Sequence, residues 1–307
     1  MRLPVRSLLV RTVTIVFSFV FLTFDVHGQG ALKDDRITAA DIELRNGLTL
    51  NYVVQGDVHG PVIVLLHGAG DSWHSYQRVL PLLPSTYRVY AVTLRGHGLS
   101  DHPETGYSRD DFAEDILEFI DQLKLEHVTL VGHSLGSFVA QRVAERDEHH
   151  RLSRLVLIGS GPGGRKAGSG EAAVTSPFAK LKDPVPYTFA RDFQASTIYH
   201  PIPAWFFEMM VGESQRVPAA TWHGIGQSSS GSTVDDLRKI NVPTLLVWGD
   251  HDSIFKRQDQ QVLLDTIPQA TLKTYRDTGH ALHWERPEEF TRDLLGFLHG
   301  TPAKSHS

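Results

Sequence analysis

Cysteine is absent from all 307 residues. That excludes disulfides, metal–thiolate sites and a thiol nucleophile, and leaves packing alone to hold the fold. No long run of Lys or Arg appears and the formal net charge is −5, so the basic footprint of a nucleic-acid-binding protein is missing. A membrane-length apolar run is missing as well. The longest uncharged apolar stretch, Thr12 to Phe24, spans about 13 residues, short of the roughly 20 that cross a bilayer. No Gly-rich phosphate loop and no cluster of metal-ligating side chains stands out, so no metal, nucleotide or flavin cofactor is implied.

What is present is a globular composition, 41% hydrophobic and 21% charged, which sets disorder aside. Arg2, Arg6 and Arg11 precede the short apolar stretch, and Val26 and Gly28 follow it. A basic start, a short apolar centre and small residues afterwards read as an export signal over 1–28, with the mature chain starting near Gln29. The expected location is therefore secreted or periplasmic, with no stable membrane span once the signal is removed. An uncleaved N-terminal anchor is the alternative.

Beyond the signal the hydrophobic period changes twice. Ile37 to Leu44 and Leu48 to Val54 alternate around Asn46-Gly47, a pair tolerant of positive φ, which predicts a hairpin. Continuous apolar runs follow at Pro61–Leu66, Tyr87–Leu94, His127–Val131, Leu155–Ile158 and Thr244–Trp248, with a last strand pattern at Thr271–Tyr275. Runs of that kind are strands buried on both faces. Helical spacing lies between them, at Asp110–Leu125, Phe138–Val143, Val262–Ile267 and Phe290–Leu298. Alternating strands and helices predict a mainly parallel sheet covered on both sides.

One stretch breaks the rhythm. Between Gly161 and Pro243 lie about 80 residues with no buried-strand run, bounded by Gly- and Ser-rich segments and rich in aromatics. It reads as a helical cap over 162–235, inserted between core segments 29–161 and 236–303, with 304–307 as a frayed tail.

The strongest chemical signal is Gly132-His133-Ser134-Leu135-Gly136, placed between an apolar strand run and a helical pattern. Flanking glycines leave room for a sharp strand-to-helix turn that exposes Ser134, and a helix opening at Leu135 aims free N–H groups at the reacting centre. A serine nucleophile needs a base, and 17 histidines are available. His280 is favoured because Asp277-Thr-Gly-His280 closes the last strand pattern, where parallel sheets place ligands; His283 is its local competitor. His133, inside the elbow, is a packing or pocket residue. Asp250 and Asp252 both lie just past the Thr244–Trp248 strand, and the residues alone do not separate them as the carboxylate that orients the imidazole.

Taken with His67-Gly68, Arg95-Gly-His-Gly-Leu-Ser-Asp101, Trp248-Gly-Asp-His-Asp252 and Gly279-His280, these motifs resemble the α/β-hydrolase superfamily over nearly the whole mature chain. The nearest branch is its capped serine esterase, lactonase and perhydrolase members. The resemblance implies an α/β-hydrolase fold, with a mostly parallel eight-stranded sheet flanked by helices and an inserted helical cap. It implies Asp252 as the acid of a Ser134–His280–Asp252 triad, and an oxyanion hole from the backbone N–H groups of Ala69 and Leu135. It also implies that His67 makes a structural hydrogen bond and that Arg95 to Asp101 braces the turn after the fourth strand. The expected partner is a small to medium, fairly apolar ester or lactone, with His133, Trp205, Phe206 and Trp222 as candidate pocket residues. Related enzymes with the same triad cleave C–C bonds, for which Arg191 or Arg216 would bind a substrate carboxylate, or run perhydrolysis. Other members act as ligand receptors with little turnover. A carboxylate-nucleophile reaction is disfavoured, since Ser134 occupies that position.

Overall fold

A computed structural model of the chain describes residues 37–163, 178–227 and 233–300. The chain divides into two units, Met1–Asp35 and Arg36–Ser307, and the first lies outside the described residues. The expected export signal, much of the Gly- and Ser-rich boundaries of the expected cap, and the 304–307 tail lie outside them too.

Eight strands form one sheet. In chain order they are β1 (Ile37–Glu43), β2 (Thr49–Gly56), β3 (Val62–Leu66), β4 (Arg88–Val92), β5 (Val128–His133), β6 (Leu152–Ile158), β7 (Thr244–Gly249) and β8 (Ala270–Tyr275). Their spatial order is β1-β2-β4-β3-β5-β6-β7-β8; β2 runs antiparallel to both of its neighbours and every other pairing is parallel. The helices are α1 (Arg109–Gln122), α2 (Leu135–Glu145), α3 (Tyr187–Ala195), α4 (Ala204–Arg216), α5 (Ala219–Gln227), α6 (Arg257–Thr266), α7 (Leu282–Glu285) and α8 (Pro287–His299).

The double-faced apolar runs explain the layering. In β3, Val64 and Leu66 pack into a core with Phe112, Ile116 and Phe119 of α1 and Val139 and Val143 of α2. Ile63 and Leu65 point the other way, into a second core with Tyr76, Phe290 and Leu294. Period-2 alternation in a strand buried on both sides sends successive side chains to opposite layers. Each fully buried Leu, Ile or Phe is worth about 1.5–3 kcal/mol against exposure.

The structure revises some expected boundaries. The β1–β2 hairpin turns through Arg45–Gly47 with only Gly47 at positive φ (84°), and Gly47 N–H donates to Leu44 O (2.9 Å). It is thus a three-residue loop closed by one left-handed glycine, not a two-residue turn with both residues left-handed. β6 begins three residues earlier than its apolar run, because Leu152 pairs with Val128 and Arg154 with Thr129, with Ser153 bulged between them and both polar side chains partly exposed. α1 starts at Arg109 because Ser108 and Asp111 cap each other: Ser108 Oγ accepts from Asp111 N–H (3.2 Å) and Asp111 Oδ2 from Ser108 N–H (2.8 Å).

Between β6 and β7 the described residues hold three α-helices, α3 to α5, a short 3-10 helix at Val234–Lys239, and no strand. Phe206 and Met210 of α4 are buried against Ala281 and Trp284. Trp222 of α5 is buried with Val185 and Val217, against Phe178, Phe189, Phe193 and Ala69. The helices therefore rest on the loops that follow β3 and β8. Among the described residues, no helix is long and apolar enough to cross a membrane.

Candidate active site

β3 and β5 are neighbours although β4 lies between them in the chain, so the connections leave this point in opposite directions. Carboxyl ends of strands at such a switch point form a crevice. The loops after β3, β5, β7 and β8 carry Ala69, Ser134, Asp252 and His280 respectively.

The elbow geometry follows from its glycines. A Cβ on Gly132 would stand 2.2 Å from Gly136 O, and one on Gly136 would stand 2.5 Å from Leu66 O. Only glycine lets β5 and α2 approach this closely. Ser134 between them sits at φ 49°, ψ −114°, outside the regions open to ordinary L-residues, at a cost of about 1–3 kcal/mol. Its N–H donates to Ile158 O (3.0 Å), which holds the strained turn in place.

Asp252 and Asp250 are separated by geometry. His280 Nδ1 lies 2.9 Å from Asp252 Oδ2, while Asp252 Oδ1 accepts from the N–H groups of Ile254 (2.8 Å) and Phe255 (3.0 Å). Asp252 is buried at 3% exposure, whereas Asp250 pairs with the exposed His251. His280 and His283 separate equally clearly. His283 Nε2 lies 3.2 Å from Ser75 Oγ and burial pushes its imidazole down to about 3, so it stays neutral. His280 Nε2 is buried with no hydrogen-bond partner among the described residues, leaving one ring nitrogen on the carboxylate and the other unengaged.

The Ala69 amide is aimed by its own peptide plane. Gly68 O accepts from His67 Nδ1 (2.7 Å) and from Asp71 N–H (3.3 Å). A trans peptide points the Ala69 N–H opposite to that carbonyl. His67 Nε2 accepts from Leu94 N–H (2.9 Å), which fixes the proton on Nδ1, and burial holds the ring neutral, well below the ordinary histidine range. His67 O takes the Gly136 N–H (3.0 Å) and so joins this loop to the elbow. No backbone carbonyl among the described residues accepts from Ala69 N–H or Leu135 N–H.

Beside these groups lies a buried polar cluster that the sequence did not single out. Asp71 Oδ1 accepts from Gln194 Nε2 (2.8 Å) and Oδ2 from Ser75 Oγ (3.2 Å). The His133 ring centroid lies 4.9 Å from that of His280 and 4.6 Å from that of His283, tilted to both, with Nδ1 3.9 Å from Asp71 Oδ2. Burial raises the Asp71 carboxyl to about 8, against the pull of its Gln194, Ser75 and Gly68 hydrogen bonds, and lowers His133 well below its usual value. Both are neutral near pH 7, so their approach is no ion pair. Asp71 was discoverable as the one carboxylate in the loop after His67-Gly68. Gln194 carried no such signal, because a glutamine on a short amphipathic helix reads as surface. Among the described residues, no group of three His, Asp or Glu side chains is placed to hold a metal ion.

The raised Asp71 value has a sign. The folded state binds this proton more tightly than the unfolded chain, so its contribution is complete below about pH 4 and is lost as pH rises through about 8. Asp71→Asn keeps an acceptor for Gln194 and removes the titration. Unfolding free energies from urea melts should exceed wild type by ~2–4 kcal/mol in the variant at pH 8.5 and converge with it near pH 4. A difference independent of pH would contradict a buried, protonated Asp71.

The remaining candidates are spread out. Trp205 is 58% exposed and meets Phe206 edge to face. Phe206 and Trp222 are fully buried, each within its own apolar cluster, on Trp284 and on the Phe178–Phe189–Phe193 group respectively. Arg216 is exposed and pairs with Glu213, and Arg191, also exposed, lies over the Phe207 ring.

Arg95 turns inward to Asp115, both of its nitrogens Nε and Nη2 bonding that carboxylate, and Nη1 donates to Gly106 O (2.8 Å). Asp115 also accepts from Asn46 Nδ2 (3.1 Å), tying the loop after β4 to α1 and the hairpin. Arg95→Met should therefore cost about 3–5 kcal/mol by stranding a buried carboxylate, with turnover per folded molecule unchanged. Loss of turnover at full stability would give Arg95 a chemical role instead.

The family model described as "Alpha/beta hydrolase family" matches residues 63–293. The chain belongs to the α/β-hydrolase family. Its fold matches that of an esterase from Exiguobacterium antarcticum, with a TM-score of 0.76 at 24% identity, covering 86% of this chain and 100% of that one. In sequence this α/β hydrolase is 31% identical over 263 residues to the non-heme haloperoxidase of Rhodococcus erythropolis, covering 78% of this chain and 92% of the relative. It is 27% identical over 303 residues to the 2-hydroxy-6-oxononadienedioate/2-hydroxy-6-oxononatrienedioate hydrolase 2 of Pseudomonas putida, covering 90% and 99%.

Proposed function

We propose that this α/β hydrolase cleaves a carboxylic ester or lactone through an acyl-enzyme on Ser134. The observation that carries the reading is the buried His280–Asp252 pair, with Nδ1 on the carboxylate at 2.9 Å and Nε2 unengaged. A neutral imidazole held in that tautomer presents a lone pair at Nε2, which is what proton removal from a serine hydroxyl requires. The link through β6 supports Ser134 as the nucleophile in this reading. The Ser134 N–H is held by Ile158 O, and the next residue, Gly159, lies against the His280 ring.

In this mechanism Ser134 Oγ attacks the acyl carbon as His280 takes its proton, and Asp252 stabilises the resulting imidazolium. Charge collecting on the carbonyl oxygen is met by the amides of Ala69 and Leu135. His280 then gives its proton to the leaving alcohol, and a water activated by the same ring releases the acid. Each oxyanion donor is worth about 100- to 1,000-fold in rate. The helices α3 to α5 act as a cap whose apolar clusters size the pocket for a small to medium, fairly apolar acyl group.

A second reading is favoured by the name of the Rhodococcus erythropolis relative, a non-heme haloperoxidase. Hydrogen peroxide would then replace water in the second step and carry the acyl group away as a peracid. C–C cleavage is weakened by the outward placement of Arg191 and Arg216, which leaves the proposed carboxylate contact without its donors.

The test is hydrolysis of p-nitrophenyl esters from acetate to dodecanoate by the chain expressed from Gln29, with and without peroxide. Multiple turnovers with a short- or medium-chain optimum support the ester reading. Peracid formed faster than free acid moves the assignment to perhydrolysis. Stoichiometric product release alone would make the protein a receptor. Export is part of the proposal, checked by mass spectrometry of the mature N-terminus from the native source.

A further inference from the structure

The buried amide of Gln194 has no role in the mechanism above, yet it bonds the loop that carries the Ala69 amide. Gln194 is fully buried near the end of α3, and both protons of its Nε2 are used, on Asp71 Oδ1 (2.8 Å) and on Ser214 Oγ of α4 (2.7 Å). Ser214 Oγ in turn donates to Gly70 O (2.9 Å). The loop from Gly68 to Asp71 is thus held at every carbonyl or side chain that flanks Ala69. Gly68 O is held by His67 and Asp71 N–H, Gly70 O by Ser214, and the Asp71 carboxyl by Gln194 and Ser75.

Packing leaves this loop no slack on the other side. The Trp222 ring and Ser214 Oγ occupy the space at 2.6 and 2.7 Å where a Cβ on Gly70 would project. The chain just after Gln194 holds the other two loops of the site. Thr197 O accepts from Ala281 N–H (2.8 Å), next to His280, and Ser196 O accepts from Ser253 Oγ (2.8 Å), next to Asp252. Glu285 receives the N–H groups of Tyr199 (3.0 Å), His200 (2.9 Å) and Gly279 (2.8 Å). One short segment, 194–200, therefore touches the neighbours of the proposed oxyanion amide, acid and base.

We infer that Gln194 is a positioning residue, which sets the aim of the Ala69 N–H through Asp71 and through Ser214 on Gly70 O. The inference rests on the ester reading, in which that amide receives the oxyanion. It makes the segment between β6 and β7 a working part of the oxyanion hole, fixed against the core at this point. An amide a few tenths of an ångström out of line still allows substrate to bind but stabilises the tetrahedral state less.

Gln194→Met keeps the side-chain volume and removes both donated bonds. With active sites counted by fluorophosphonate titration, kcat per site should fall about 10- to 100-fold while KM stays within about threefold. Affinity for a trifluoromethyl ketone, which forms a tetrahedral adduct on the serine, should fall by the same factor. A residue that serves packing alone would lower the thermal midpoint and the number of active sites but leave kcat per site and ketone affinity unchanged. That result would overturn the inference and leave the ester reading standing. Should Gln194→Met not fold, Ser214→Ala removes the bond to Gly70 O and the acceptor for one Gln194 proton, leaves Gln194 on Asp71, and should shift kcat and ketone affinity in the same direction. Wild-type protein that neither turns over esters nor reacts with fluorophosphonate at Ser134 would end both claims.

Discussion

Ser134→Ala is expected to bring ester turnover down to background, a loss of about 10⁴- to 10⁶-fold, with the fold intact. The size follows from what remains. The variant keeps the amides of Ala69 and Leu135 and the His280–Asp252 pair, but it has no atom to carry the acyl group, and the residual rate is that of oriented water. Stability moves separately. Ser134 is held at φ 49°, a conformation that costs any residue with a Cβ, so Ala carries the same strain and Gly does not. Ser134→Gly should therefore be equally inactive yet more stable than Ser134→Ala by about 1 kcal/mol, a shift of roughly 1.5–2 °C in a chain of this size. Calorimetry beside the ester assay checks both halves. An inactive pair with no stability difference would deny the strain, and an active Ser134→Ala would remove Ser134 from the chemistry.

The parts of this molecule that were legible in the sequence are those written in local pattern. Buried parallel strands need unbroken apolar runs, so β3 and β7 appear within a residue of their place, and the sharp turn at Ser134 needs Gly132 and Gly136. The boundary of β6 was hidden, because Ser153 bulges out of the ladder and both Ser153 and Arg154 leave polar side chains partly outside. Long-range pairing left no local trace. Asp250 and Asp252 occupy the same loop and differ only in which one turns inward, a fact of the fold of residues 249–255. Gln194 and Asp71 are 123 positions apart and meet only because α3 rests on the β3 loop. The aromatic content of the segment between β6 and β7 was visible, but not that Trp205 faces outward while Phe206 and Trp222 build separate cores. Amphipathic spacing in short helices does not say which of two apolar clusters a side chain joins.

Asp252→Asn should lower kcat by about 10³- to 10⁴-fold while Asp250→Asn stays within about twofold of wild type. The substitution exchanges one carboxylate oxygen for an amide nitrogen. The oxygen that remains can go on accepting the N–H groups of Ile254 and Phe255, so the loop after β7 keeps its shape. The new amide nitrogen then faces His280 Nδ1 across the 2.9 Å now spanned by the carboxylate contact, and two N–H groups cannot both point along it. The ring resolves the clash by carrying its proton on Nε2, the nitrogen that in the proposed mechanism stays bare to accept from Ser134. The loss is therefore one of tautomer, and it should appear in kcat with KM little changed, because substrate binding does not use that proton. Asp250 has no such hold on the ring, as its carboxylate meets the exposed His251 and the backbone of Asp277 and Thr278. Imidazole nitrogen shifts in ¹⁵N NMR would report the tautomer directly, with Nδ1 protonated in wild type and Nε2 protonated in the variant. Equal activity in the two variants would mean that the buried pair orients nothing. A dead Asp250→Asn beside a working Asp252→Asn would transfer the role to the other carboxylate, against the burial and the distance that now select Asp252.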